Sequence, residues 1–437
     1  MVRLLPLLVL CISAVPLVSA TSWYANSATG SDSNDCQSAS TACKSLAMLC
    51  TFGWDAPGFA AGDTIYLSGT FSTFSKAGKI EPDYFWMQLD LSHGAPGSPI
   101  RITSLDPTNP AVIDVDDSHG INIYTWLVGA AGHVQIDHLT LVGNGGLDFQ
   151  NNQTTSGIFI YHDAPGDISD FVIDSVDVSG FSEAGFFSFR YNESNATGII
   201  RDIVITNSAF HHNPGYLGIQ RPSGSGVVLS GVAGATVWNT TAYRNGEMNT
   251  NHGGGPVGIW TYDADRVNIT NCTSFENLSM NNDGGGYDFD GGTTNSIIDN
   301  CISYSNYGPG YEACSFAPYG PTMNNNGWNQ NNIISNSISL NDADGKKFAS
   351  VGVFPFEEPI TNLTISNVTI TIDEYNCTTW GQTYTTHNGV WIDPEAVGDN
   401  ADLELVQVIN SQVTCQGKTV DLALTCDSAN NPTCVQH

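Results

Sequence analysis

One short pattern dominates this chain: β-branched residues alternating with small polar ones, closed by Asn or Gly. It reads VQIDHLTLVGN at 134–144, FVIDSVDVSGF at 171–181, IVITNSAFHHN at 203–213 and TVWNTTAYRNG at 236–246. It continues as VNITNCTSFEN at 267–277, SIIDNCISYSN at 296–306, NIISNSISLND at 332–342 and LTISNVTITID at 363–373. Successive starts lie 37, 32, 33, 31, 29, 36 and 31 residues apart. That period is short for a propeller blade and lacks the i, i+3, i+4 apolar spacing of helical repeats. Period-2 alternation with turn residues at fixed offsets fits one coil of a β-solenoid with loops of varying length. Asn at the bends tolerates the left-handed conformation and can stack in ladders between coils.

A second strand follows each pattern and opens on glycine: GIFIYH from Gly157, GFFSFR from Gly185, GVVLSG from Gly226 and GIWTYD from Gly258. The set continues as GYDFDG from Gly286, GYEACS from Gly310, GVFPFE from Gly352 and GVWIDP from Gly389. Each glycine is expected to take the bend between sheets without a Cβ penalty. Side chains alternate faces along a strand. Ile158, Phe186, Val227, Ile259, Tyr287, Tyr311, Val353 and Val390, one place after the glycine, should point into the coil. Phe159, Phe187, Val228, Trp260, Asp288, Glu312, Phe354 and Trp391 should point outward. An outward stripe of aromatics interrupted by two acids is not an ordinary solvated surface. The fold class expected is all-β: a right-handed parallel β-helix of roughly ten coils, with a short amphipathic capping helix within 41–52.

Residues 1–20 read as a signal peptide: Arg3, an apolar run, then Val18-Ser19-Ala20 before the cut. The division expected is therefore 1–20 leader and 21–437 β-helix domain, in a secreted, extracellular protein. Of eleven cysteines only Cys11 falls in the leader, and the even remainder suggests disulfides. Cys272 and Cys301 hold one position in successive repeats and are expected to pair, while Cys415, Cys426 and Cys434 belong to a C-terminal tail that closes the solenoid. Ten Asn-x-Ser/Thr sites, among them Asn239, Asn271 and Asn277, suggest a glycoprotein. A net charge of −30 argues against nucleic acid, because no basic patch could offset phosphate repulsion. It weighs against a polyanionic glycan unless calcium bridges the two. No stretch after the leader is long enough to span a membrane, and a monomer is expected.

Three stretches resemble the secreted right-handed parallel β-helix proteins of the pectate-lyase-like superfamily. They are WYAN at 23–26 with TGSD at 29–32 and KSL at 44–46, GDTIYL at 62–67, and GSPIRIT at 97–103 with VID at 112–114. The resemblance spans nearly the whole chain after the leader. It implies the fold and a carbohydrate partner, and leaves hydrolase, lyase, epimerase and adhesin open.

The most unusual stretch is DGGGYDFDGG at 283–292. Five glycines leave its acids unshielded. Asp288 and Asp290 share the outward face, roughly 6.5–7 Å apart along the strand, and Glu312 aligns with Asp288 one coil later, roughly 5 Å away. Crowded carboxylates cannot all ionise freely, and a glycosidase needs one protonated acid beside one ionised partner. Asp288, Asp290 and Glu312, with Asp283 in reserve, are therefore the expected catalytic acids, with a lean towards inversion. Trp260, Tyr262, Phe187, Trp391 and Phe354 are expected to stack on sugar rings, with His252 and Arg190 as further substrate contacts and Asp263 near the end of the preceding strand. The structural alternative is calcium held by Asp283, Asp288 and Asp290; otherwise no cofactor is expected. A hydrolase is favoured over a calcium-dependent lyase or epimerase, which would draw on Arg190 or another arginine, and over a non-catalytic glycan-binding wall protein.

Overall fold

The computed structural model describes residues 20–49, 59–72, 87–88, 94–115, 121–124, 132–147, 153–163, 165–190, 198–218, 222–251, 255–281, 283–316, 323, 327–343, 349–373, 376–381, 387–393, 403–426 and 434–437. Residues 1–19 of the expected leader lie outside them. The chain is a right-handed parallel β-helix. One parallel ladder runs from Ser22–Asn26 through Thr64–Ser68, Ile100–Ser104 and Gly132–Asp137 to Val406–Cys415, adding a rung with every repeat. A second ladder carries the short strands that follow, such as Asp177–Ser179, Thr241–Tyr243 and Ile302–Tyr304. The glycine-led strands form a separate 11-stranded sheet.

Alternation dictates this arrangement. Inward residues such as Ile136, Ile173, Ile205, Val237, Ile269 and Ile298 are fully buried one above another. Between the first and second strand of each coil a single residue turns the chain in the left-handed region: Asn207, Asn239, Asn271, Asn300, Asn336 and Asn367 all have φ near +50°. Asn tolerates that conformation best among residues with a Cβ, and its side chain then joins its neighbours. Asn239 Nδ2 donates to Asn207 Oδ1 at 2.8 Å and Asn367 Nδ2 to Asn336 Oδ1 at 3.1 Å.

A second amide ladder runs inside the coils. Asn213, Asn245, Asn277 and Asn306 each donate through Nδ2 to the next side chain, at 2.8–2.9 Å, and the last acceptor is Asp342. All five are completely buried. Asn277 is thereby closed to glycosylation although its sequon is intact.

The opening glycines answer to this interior ladder rather than to backbone dihedrals. None from Gly157 to Gly310 has a positive φ. A Cβ on Gly286 would stand 2.4 Å from Ser303 Oγ, and one on Gly310 2.3 Å from Asp342 Oδ2.

Two expectations fail, each for a physical reason. There is no capping α-helix among the described residues. Cys36–Cys43 is a disulfide, and Cys43 exchanges backbone hydrogen bonds with Tyr24 and Asn26. The segment is thus tied alongside the first strand, and among its described residues it forms the single 3-10 turns Ala39–Thr41 and Leu46–Met48. Cys272 and Cys301 are not bridged to each other. They stand where Ser208, Thr240 and Ser337 stand in other coils. Each thiol donates two residues back, to Thr270 O at 3.2 Å and Asp299 O at 3.3 Å, as those hydroxyls do. Stacking also holds their side chains parallel at about 4.8 Å, wider than a disulfide's Cβ separation.

The C-terminal end is closed by an antiparallel hairpin, Val406–Cys415 with Lys418–Cys426, secured by Cys377–Cys415 and Cys426–Cys434. No helix among the described residues is long and apolar enough to cross a membrane.

Candidate active site

The eleven-stranded sheet presents two outward columns. The first runs Phe159, Phe187, Val228, Trp260, Asp288, Glu312, Gly352, Trp391. The second, two residues further along each strand, includes Tyr161, Phe189, Ser230, Tyr262, Cys314 and Phe354. Asp288 and Glu312 are therefore direct register partners in adjacent strands, Gly285–Phe289 and Tyr311–Ser315. The alignment expected from the glycines slips by two at Ala349–Pro355. Ser350 occupies the opening position, Gly352 faces Glu312, and Phe354 falls opposite Cys314. Parity survives the slip, so Phe354 still points outward.

Beneath the acids the strands are held by Tyr287 and Tyr311, fully buried and stacked at 5.2 Å. Their hydroxyls donate to backbone carbonyls: Tyr287 to Ile302 at 3.2 Å, Tyr311 to Cys301 and Ile338 at 2.9 Å. That fixes the backbone from which Asp288 and Glu312 project.

Asp288 is 5% and Glu312 7% exposed, while Asp290 is half-buried. The thiol of Cys314 lies 3.3 Å from Asp290 Oδ1 and 3.7 Å from both Asp288 oxygens. Asp290 also accepts from the Gly291 amide at 2.6 Å. Glu312 has no hydrogen-bond partner among the described residues. Burial, with the neighbouring acids adding to it, pushes Asp288 and Glu312 well above the usual carboxylate range. Burial lifts Asp290 to about 6, against the Gly291 and Cys314 hydrogen bonds that favour its charge. Asp283, half-buried in a left-handed turn, adds its own charge to all three.

The structure brings Asp283, Asp288, Asp290 and Glu312 into one cluster. It adds Cys314, which the sequence reading passed over although the thiol sits two residues beyond Glu312 on the same face. One ligand atom each from Asp288, Asp290 and Cys314 falls within 4.8 Å of the others. Calcium takes oxygen ligands, and a sulfur in the middle of the set does not suit it.

The aromatics divide differently from the expectation. Trp260 packs with Ala184, Val228 and Val257, and its indole donates to Ser225 Oγ at 3.1 Å. Phe354 and Trp391 pack with Cys314, Ala349, Phe316 and Phe356. These three are buried by packing against one another's neighbours on the outer face, which alternation along a single strand does not reveal. Half-buried Phe187 and Tyr262 border the first group. Phe187 stacks on Phe159 at 5.3 Å and touches Phe189 at 5.6 Å, giving a partly open aromatic surface on one side of the acids.

Asp263 follows the strand Val257–Tyr262, is 6% exposed, and accepts from the Met323 amide at 2.7 Å. Burial raises it to about 7, partly offset by the charge of Arg190. Arg190 ends its strand opposite His162, on the same sheet. His252 lies outside the described residues.

No protein-family model and no curated protein matches the sequence. Among solved structures, a GH136 lacto-N-biosidase from Eubacterium ramulus superposes with a TM-score of 0.53 at 13% identity, over 90% of this chain and 68% of that one. The catalytic domain of Agl-KA gives 0.50 at 16% identity, over 80% of this chain and 52% of that one. Pectate lyase Pel9A gives 0.42 at 16% identity, over 80% and 78%. The fold is shared with the first two of these.

Proposed function

We propose that this protein is an exported glycoside hydrolase that cleaves a polysaccharide or oligosaccharide with paired carboxylates. The observation that carries the reading is the register pair Asp288 and Glu312: two buried acids side by side on the outer face, with Asp290 two residues along. A buried carboxyl that keeps its proton is the acid a glycosidic oxygen needs, and an ionised neighbour is the nucleophile or base. Solved relatives of the fold include a lacto-N-biosidase, which favours hydrolysis of an oligosaccharide. Phe187, Phe159 and Tyr262 supply the aromatic surface along which sugar rings would bind, and Arg190, at the end of the strand that carries Phe187, is a cation available to a substrate oxygen.

Spacing bears on the stereochemistry. In-register strands lie about 4.8 Å apart, and carboxyl oxygens of Asp288 and Asp290 come within 4.8 Å of each other. Inversion requires about 6.5–9.5 Å between the two carboxyls, and retention about 5–5.5 Å. The cluster suits retention through a glycosyl-enzyme intermediate.

The test is a screen against neutral and acidic poly- and oligosaccharides, reading new reducing ends and ultraviolet absorbance together. Reducing ends without an absorbing product support the hydrolase. An unsaturated absorbing product would make the protein a lyase, and binding without turnover would make it an adhesin.

A further inference from the structure

We propose that the acid cluster is also a site for a thiophilic divalent cation of the Zn²⁺ type, held by Asp288, Asp290 and Cys314, and that the cation inhibits the hydrolase. The donors meet a geometric requirement. With Zn–S near 2.3 Å and Zn–O near 2.0 Å, tetrahedral ligation places sulfur about 3.5 Å from each ligand oxygen. The Cys314 sulfur stands 3.3 Å from Asp290 Oδ1 and 3.7 Å from the Asp288 oxygens.

A second observation is independent of those distances. Glu312 is 7% exposed, lies in register beside Asp288, and has no hydrogen-bond partner among the described residues. A carboxyl confined beside other acids is costly to ionise, and the charge of a cation at the cluster would offset that cost. A mixed sulfur and oxygen set selects zinc or cadmium over calcium and magnesium, which prefer oxygen alone.

Binding involves no change of oxidation state. The cation enters, the thiol proton and any carboxyl protons leave to solvent, and sulfur–metal and oxygen–metal bonds replace them. The same carboxyls cannot then donate or accept a proton at a glycosidic bond. The inhibition rests on the hydrolase reading; the site does not, and the two are tested separately.

The full chain, washed with chelator, is titrated with Cd²⁺ and followed by the thiolate-to-cadmium charge-transfer band in the ultraviolet. The band is expected to saturate at one ion per chain, to persist in Cys272→Ser/Cys301→Ser, to vanish in Cys314→Ser, and to survive a large excess of Ca²⁺. Competition by Zn²⁺ should weaken about tenfold or more in Asp290→Asn, a second variant that keeps the thiol. No band in the wild type, a band that survives Cys314→Ser, unchanged competition in Asp290→Asn, or displacement by Ca²⁺ would each overturn the site. On a substrate that the wild type cleaves, Zn²⁺ should inhibit it at concentrations that leave Cys314→Ser at its own uninhibited rate. Equal inhibition of both would overturn the regulatory part alone.

Discussion

Two stacks of buried polar side chains run through the same coils, and they are built on opposite terms. The interior amides of Asn213, Asn245, Asn277 and Asn306 each donate to the rung above, and Asn277 and Asn306 also bond Ser274 and Ser303 at 3.0 and 2.9 Å. The outer acids Asp288, Asp290 and Glu312 share little more than one thiol and one backbone amide. A buried polar group that is fully bonded holds a fold together, whereas one left short of partners raises the free energy of the resting protein. The first stack reads as architecture and the second as a place where something else must bind or react.

Substitution should separate them most sharply. Asp288→Asn, Asp290→Asn and Glu312→Gln, made singly, are expected to cost at least two of the three variants about 100-fold or more in kcat on any substrate the wild type cleaves. Their unfolding midpoints should stay level or rise. Near-normal turnover in all three would move the site elsewhere, with Asp263 the next acid to replace.

Asn277→Ala should do the reverse. It orphans groups in two neighbouring coils, at about 1–3 kcal/mol for each buried partner left unbonded, and should lower the denaturant midpoint. A midpoint equal to that of the wild type would deny the interior ladder its structural role.

Asp342 lets the comparison be sharpened within one stack. It ends the amide ladder as a carboxyl, accepting from Asn306 at 2.8 Å and from Ser339 at 2.6 Å, and burial raises it to about 6. A folded-state pKa above the ordinary 3.8 means the folded protein holds this proton more tightly. The group's contribution is full below about pH 4 and is lost as pH rises through about 6. Asp342→Asn should donate to Ser339 as Asn306 does to Ser303. It is expected to gain up to about 3 kcal/mol at neutral pH and to flatten that slope. Unfolding curves for both proteins at pH 4 and pH 7 decide it; a parallel pH dependence in the two would reject the assignment.

The smallest effect is expected from Cys272→Ser/Cys301→Ser, which keeps both donors to Thr270 and Asp299. Stability should change by less than about 1 kcal/mol, and peptide mapping of the wild type should find neither cysteine joined to the other.

The coils were legible because alternation has only two phases. Tyr287 and Tyr311 inward, Asp288 and Glu312 outward, follow once one residue is placed. What failed were positions set by contacts between distant segments. Gly352 imitates an opening glycine, and only its pairing with Glu312 reveals the slip. The burial of Trp260, Phe354 and Trp391 comes from packing with outer-face side chains of neighbouring coils, which alternation along one strand does not describe. The disulfide expected from matching positions overlooked that cysteine can act as a donor in a column of serines and threonines. Cys314 was within reach, since counting two residues on from Glu312 finds it.

The interior ladder bears on how such a protein can change over evolutionary time. Its rungs are separated by 32, 32, 29 and 36 residues, yet each bond is 2.8–2.9 Å long. Rung height is thus indifferent to how much chain lies between. Mutation is free to lengthen or shorten the segments between rungs without shifting Asp288 against Glu312. On the hydrolase reading proposed above, a lineage could change the sugar it accepts through insertions and deletions alone, with the acid cluster inherited intact.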